Sequence, residues 1–235
     1  MLTRILTAVV LAIFLMPAHA EFSGQGEFGM VIARGNTETE TANARLALNW
    51  ERERWSNEST FNFVYGRDSG ETNASRFVLG NKTEYDLDEK SYVLAALRYD
   101  RDRFSAFNFQ STLAIGYGRY LVDSERHRLK SEVGPGFRVA ELRATDETET
   151  DLIGRGFLDY RWKISDTTEL TNRFLVESGS DNTFVENALG LSVAINARLS
   201  LKAGVAVRHN TDVDPDREKT DTLSTVNLVY NFGND

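Results

Sequence analysis

The chain has 235 residues, no cysteine and a formal charge of −8, from 35 acidic side chains against 27 basic ones. Without thiols there is no disulfide framework and no cysteine-bound metal, and the acidic balance without a basic, aromatic-interleaved patch argues against a nucleic-acid partner. A mature length of about 215 residues suits one β domain, and no linker or low-complexity tract divides it.

Residues 1–20 read as a secretory signal. Arg4 stands near the start, an apolar run extends from Ile5 to Met16, and Ala18-His19-Ala20 forms a small-x-small cleavage site. The run is too short for a spanning helix, and no later stretch reaches the roughly 18 apolar residues that one requires. If the chain enters a membrane, it does so as strands. The expected division is a signal peptide over 1–20 and an outer-membrane β-barrel domain over 21–235, with export placing it in a Gram-negative envelope.

Twelve alternating segments follow, near 27–33, 41–51, 55–66, 75–86, 91–100, 107–121, 127–139, 150–164, 169–178, 184–195, 199–209 and 220–232. The last is the clearest. Ser224, Val226, Leu228, Tyr230 and Phe232 share one face, and Thr225, Asn227, Val229 and Asn231 share the other. A soluble sandwich alternates in the same way, so the connectors carry more weight. Tight ones at 52–54, 87–90, 122–126, 165–168 and 196–198 alternate with mostly longer polar ones at 34–40, 67–74, 140–149 and 210–219. Short turns at one end and longer loops at the other are an outer-membrane pattern.

The aromatic residues agree. Extending each alternation puts Trp50, Trp55, Tyr85, Trp162, Tyr230 and Phe232 on the apolar face at the short-turn end, and Tyr65, Phe77, Tyr99 and Phe107 on it towards the other end. Such rings flank an apolar band because an aromatic body is apolar while a Trp or Tyr tip is wet. Leu46, Leu48, Leu113, Ile115, Leu189, Leu191, Val193, Leu201 and Val205 fill the belt between them. The fold class expected is all-β, a single antiparallel transmembrane barrel of about 12 strands.

Gly35-Asn36-Thr37, the run Tyr99-Asp100-Arg101-Asp102 closed by Phe104, Gly116-Tyr117-Gly118 and Gly134-Pro135-Gly136 together resemble the YdiY-like salt-induced outer-membrane protein family, a domain of unknown function. The resemblance spans about Gly26 to Phe232. It implies an outer-membrane barrel and an association with salt response. It brings no catalytic residue and no ligand.

Catalytic chemistry finds little support. Some outer-membrane barrels act on lipids through Ser and His on the lipid-facing wall, which makes a lipid-modifying enzyme the minor alternative. Beyond the signal the histidines are His127, beside a short turn, and His209, which Asp212 or Asp214 could orient but which has no serine at a useful spacing. The chain is read as no enzyme, with no cofactor. Asp212, Asp214 and Asp216, like Asp146, Glu147, Glu149 and Asp151, form oxygen-rich sets suited to hard cations, yet without the glycine or closing glutamate of a calcium loop. Solvated acidic loops are the simpler reading. Gly24-Gln25-Gly26 precedes a strand, so it lacks the helix N-terminus that an anion would face.

The polar wall remains. It places Arg45, Arg76, Lys82, Arg98, Lys130, Arg138, Arg155, Arg161, Lys163, Arg173, Lys202 and Arg208 in the lumen against Glu51, Glu84, Asp100, Glu132, Asp159 and Glu177. A cation excess in a water-filled passage favours anions, so a small anion-preferring channel is one expected function. The alternative is a structural or envelope-stress barrel whose lumen is plugged by pairing among these side chains. The expected partners are outer-membrane lipid, lipopolysaccharide and the assembly machinery that engages the C-terminal strand; the oligomeric state is left open.

Overall fold

The computed structural model describes residues 21–33, 39–213 and 218–233; the signal expected at 1–20 lies outside them. The described residues form β1 (Glu21–Ala33), β2 (Thr39–Arg52), β3 (Trp55–Asp68), β4 (Glu71–Asp86), β5 (Ser91–Asp102), β6 (Phe107–Asp123), β7 (His127–Leu142), β8 (Thr148–Lys163), β9 (Thr168–Ser178), β10 (Thr183–Ala194), β11 (Leu199–Asn210) and β12 (Thr220–Gly233). Each strand pairs antiparallel with its chain neighbours, and β1 pairs with β12 to close a twelve-stranded barrel. Closure leaves no sheet edge, the condition for β structure in a medium that offers no hydrogen bonds.

The wall sorts as the alternation predicts. Large apolar side chains point outwards and stay open to the surroundings, with Ile115 at 63% and Leu191 at 40% exposure, while the largest fully buried side chains are Tyr92 and Val229. A protein in water would not leave this whole surface uncovered. At the short-turn end Trp55 meets Tyr85 at 4.8 Å between centroids, and His127 stacks on Trp162 at 5.8 Å. Towards the other end runs a row of Phe61, Phe77, Tyr99 and Phe109. Phe107, expected in that row, is instead buried against Ala106 and Ala140. A bulge between Phe107 and Phe109 inverts the alternation there, so Phe109 takes the outward place.

Two polar sets interrupt the outward wall. Asn57, Ser59, Asn81 and Thr83, on the face of Phe61 and Leu79, bond to one another; Asn57 Nδ2 donates to Thr83 Oγ1 at 2.8 Å and Asn81 Nδ2 to Ser59 Oγ at 2.9 Å. On β9 and β10, Asn172 and Asn187 exchange amide bonds of 3.1 and 3.3 Å. Polar groups facing hydrocarbon satisfy each other because no water does so.

Two boundaries differ from expectation. The strand expected from residue 27 begins at Glu21, so Gly24-Gln25-Gly26 lies inside β1, where Gln25 Nε2 donates to Asn231 Oδ1 at 2.9 Å. Gly24 leaves room for the Phe232 ring, which a Cβ there would meet at 2.4 Å. The loop expected over 67–74 is a two-residue turn, Ser69-Gly70, with φ of 49° and 89°. Strands that project past the apolar band have water on both faces, so polarity there does not mark a loop. The β1–β12 ladder runs from Ser23/Gly233 to Phe28/Leu228 and stops, although both strands continue.

Candidate functional site: the charged lumen

The inward wall collects the chain's ionic groups into linked clusters. Near the short-turn end, Lys82 Nζ lies 2.7 Å from both Glu84 and Glu132, Arg155 reaches Glu132 at 2.8 Å, and Lys130 reaches Glu84 at 3.4 Å. Tyr92 donates to Glu132 at 3.1 Å, while Lys130 lies over the Tyr92 and Tyr120 rings. A second cluster joins Lys202 to Glu27 at 2.8 Å, Glu27 and Glu58 to Arg45 at 3.5 Å, and Asp159 to Arg173 at 3.5 Å. Towards the loop end Asp100 is shared by Arg76 and Arg98, and Arg98 approaches Glu177 at 3.8 Å. Beyond these, the buried Arg138 bonds Asp151 at 3.2 Å and the Asn182 carbonyl at 2.7 Å.

Some of these bridges cross the lumen. β3 and β9 stand six places apart in the twelve-membered ring, hence on opposite walls, and Arg173 Nη2 lies 3.4 Å from Glu58 Oε1. β4 and β10 are opposed likewise, with Arg76 and Glu186 at 4.0 Å, as are β5 and β11, with Asp102 and Arg208 at 3.9 Å. Pairs at 2.7 to 2.8 Å, such as Lys82 and Arg155 with Glu132 and Lys202 with Glu27, and the closer Arg76–Asp100 pair, join strands no more than three places apart. Every interior contact under 3 Å therefore braces the wall, while the three that span it are 3.4 to 4.0 Å, a range shared by wall pairs such as Asp159–Arg173 at 3.5 Å.

Ten of the twelve cations read from the sequence enter this interior network. Arg161 and Lys163 do not: half exposed at the short-turn rim, they pair with Glu169 at 3.8 Å and Asp166 at 3.0 Å. Glu27, Glu58, Asp102 and Glu186 also point inwards, and Asp151 sits inside with Arg138 rather than in an acidic loop. With them every one of the ten cations has a carboxylate within 4.0 Å. The cation excess is accordingly local. A central cavity of about 370 Å3 is lined by eight cations, including Arg45, Arg98, Arg155 and Arg173, but by four carboxylates, Glu27, Glu58, Glu177 and Glu186. The signal for the missed acids lay in parity: outward Phe28, Phe61 and Leu189 turn Glu27, Glu58 and Glu186 inwards.

The other candidates lie apart. His127 Nδ1 meets the Tyr160 hydroxyl at 2.9 Å within the aromatic girdle, and His209 Nδ1 meets Thr220 Oγ1 at 2.8 Å. The Asp212 N–H donates to Asn182 Oδ1 at 3.1 Å; Asp214 and Asp216 lie outside the described residues.

Comparison with known proteins gives the same architecture. The family described as "Protein of unknown function, DUF481" matches residues 26–232. The "Uncharacterized protein YdiY" of Escherichia coli (strain K12) is 25% identical over 224 residues, which are 92% of this chain and 86% of that protein. Among solved structures, the COG4313 outer membrane channel from Pseudomonas putida F1 superposes with a TM-score of 0.54 at 13% identity, over 92% of this chain and 97% of its own. The NanC porin gives 0.53 at 10% identity, over 89% and 97%. The likeness is one of fold.

Proposed function

The chain belongs to the DUF481 family of proteins of unknown function, and we propose that it is a narrow outer-membrane channel, closed at rest and preferring anions when open. In this reading residues 1–20 are removed on export from the cytoplasm of a Gram-negative cell. The C-terminal strand then engages the assembly machinery, and the outer wall meets lipid and lipopolysaccharide. The observation that carries it is the contrast inside the lumen. Opposite walls are joined by the longer contacts Glu58–Arg173, Arg76–Glu186 and Asp102–Arg208. Glu58, Arg173, Arg76, Glu186 and Arg208 themselves line a cavity with twice as many cations as carboxylates. Parting the bridges exposes a cation-lined path, and such a lining selects anions.

A second reading, a permanently plugged structural barrel, is favoured by the complete pairing of the ten interior cations. Planar-bilayer recording under a potassium chloride gradient separates the two. The closed channel gives rare, anion-selective steps that become frequent in Glu58→Gln. Silence from both folded proteins favours the plug, and cation selectivity removes the anion preference.

A further inference from the structure

We propose that the lumen is opened by a small polycarboxylate that takes the place of the protein's own Glu58 and Glu186 on the arginines facing them. This deepens the closed-channel reading and rests on it. Three features of the interior converge on the exchange.

The first is the unequal length of the ion pairs. The pairs that brace the wall, such as Lys82–Glu132 at 2.7 Å, are direct charge-assisted contacts, whereas Glu186 stands 4.0 Å from both Arg76 and Arg98. Glu58 is held to Arg173 at 3.4 Å with side chains 27% and 36% exposed. Long, partly hydrated pairs contribute little, so they yield first to a competing anion.

The second is the identity of the cations. Arg45, Arg76, Arg98 and Arg173 all reach the cavity, and a guanidinium offers parallel N–H donors that match a carboxylate in a bidentate fork. At Arg173 the cross-lumen acid leaves that fork half used, since Glu58 accepts through one oxygen, Oε1, whereas Arg76 already holds both oxygens of Asp100 through Nε and Nη2. A free carboxylate with no backbone tether can adopt the fork geometry that Glu58 and Glu186 do not reach.

The third is space. A cavity of about 370 Å3 holds roughly a dozen waters at about 30 Å3 each, enough for a six-carbon polycarboxylate and part of its hydration shell. Because Glu58 belongs to β3 and Glu186 to β10, a ligand that replaces both frees two of the cross-lumen ties. Binding and opening become one event, since the ligand favours the state in which Glu58 and Glu186 have left the facing arginines.

The test uses the mature chain refolded in detergent and in planar bilayers, with citrate as the probe and inorganic phosphate as the comparison. Calorimetry should give citrate binding that weakens at least tenfold in Arg173→Gln and recovers in part in Arg173→Lys, each variant checked by its heat-modifiable gel shift. In bilayers citrate should raise the open fraction of the wild type several-fold, with little further effect on Glu58→Gln/Glu186→Gln, which is already open. Binding without opening overturns the exchange and leaves the closed channel standing. Equal opening by phosphate overturns the carboxylate assignment, and absence of citrate binding overturns the inference altogether. A silent Glu58→Gln/Glu186→Gln barrel marks failure of the closed-channel reading instead.

Discussion

Glu58 and Arg173 sit on strands half a ring apart and touch, Arg173 Nη2 lying 3.4 Å from Glu58 Oε1. Long side chains from facing walls therefore meet across the lumen. Their energetic weight differs from that of the pairs along the wall. Glu132 is fully buried between Lys82 and Arg155, whereas Glu58 is a quarter exposed. Glu132→Gln takes the carboxylate from the buried Arg155 and leaves Lys82 with Glu84 alone, and should cost about 3 to 5 kcal/mol. Glu58→Gln should cost no more than about 1 kcal/mol. Urea unfolding in lipid vesicles, followed by tryptophan fluorescence, measures both; equal losses would contradict the division into bracing and spanning bridges.

The facing of β10 gives a second prediction. Leu189 and Leu191 point to the surroundings and Ser192 to the interior. Leu189→Arg should lower stability by about 2 to 4 kcal/mol through the cost of a cation in the apolar band, and Ser192→Arg by much less. The folded fraction on a heat-modifiability gel reports the difference.

The Asn172–Asn187 pair on the outward wall provides a third. Asn187→Leu alone leaves the Asn172 amide without its partner and should cost about 1 to 3 kcal/mol, while Asn172→Leu/Asn187→Leu should be close to neutral. A double-mutant cycle on vesicle unfolding tests this, and additive losses would mean that the amides do not satisfy one another.

At the seam, Gly24→Ala drives a Cβ into the Phe232 ring, which it would meet at 2.4 Å, whereas Gly26 has no atom within 4 Å of such a Cβ. Gly24→Ala should slow barrel closure several-fold and Gly26→Ala should not, as read from the time course of the folded gel band.

Strand number and facing were legible because the period of two persists for a dozen residues at a stretch, as in Leu189, Leu191 and Val193 against Ala188, Gly190 and Ser192. β3 was harder. Asn57 and Ser59 face outwards while Glu58 and Thr60 face inwards, so the polar run shows no alternation, and Glu58 went uncounted in the lumen. Its parity is fixed by the apolar residues on either side of the run, Trp55 before it and Phe61 and Phe63 after it. The short turn at Ser69-Gly70 was hidden by charged neighbours that suit a water-exposed strand as well as a loop. What the sequence could not carry is the meeting of Glu58 with Arg173, 115 positions apart, because that depends on ring order and closure rather than on any local pattern.

The seam also bears on the barrel's girth. A sheet bonded all the way round has a fixed circumference, set by its strand number and stagger. Here the stitching between β1 and β12 ends at Phe28 and Leu228, so the loop end has no β1–β12 ladder while the short-turn end is a complete hoop. One rim is thus held to a constant diameter and the other is free to widen without breaking a β1–β12 backbone bond, which lets the tube flare into a cone.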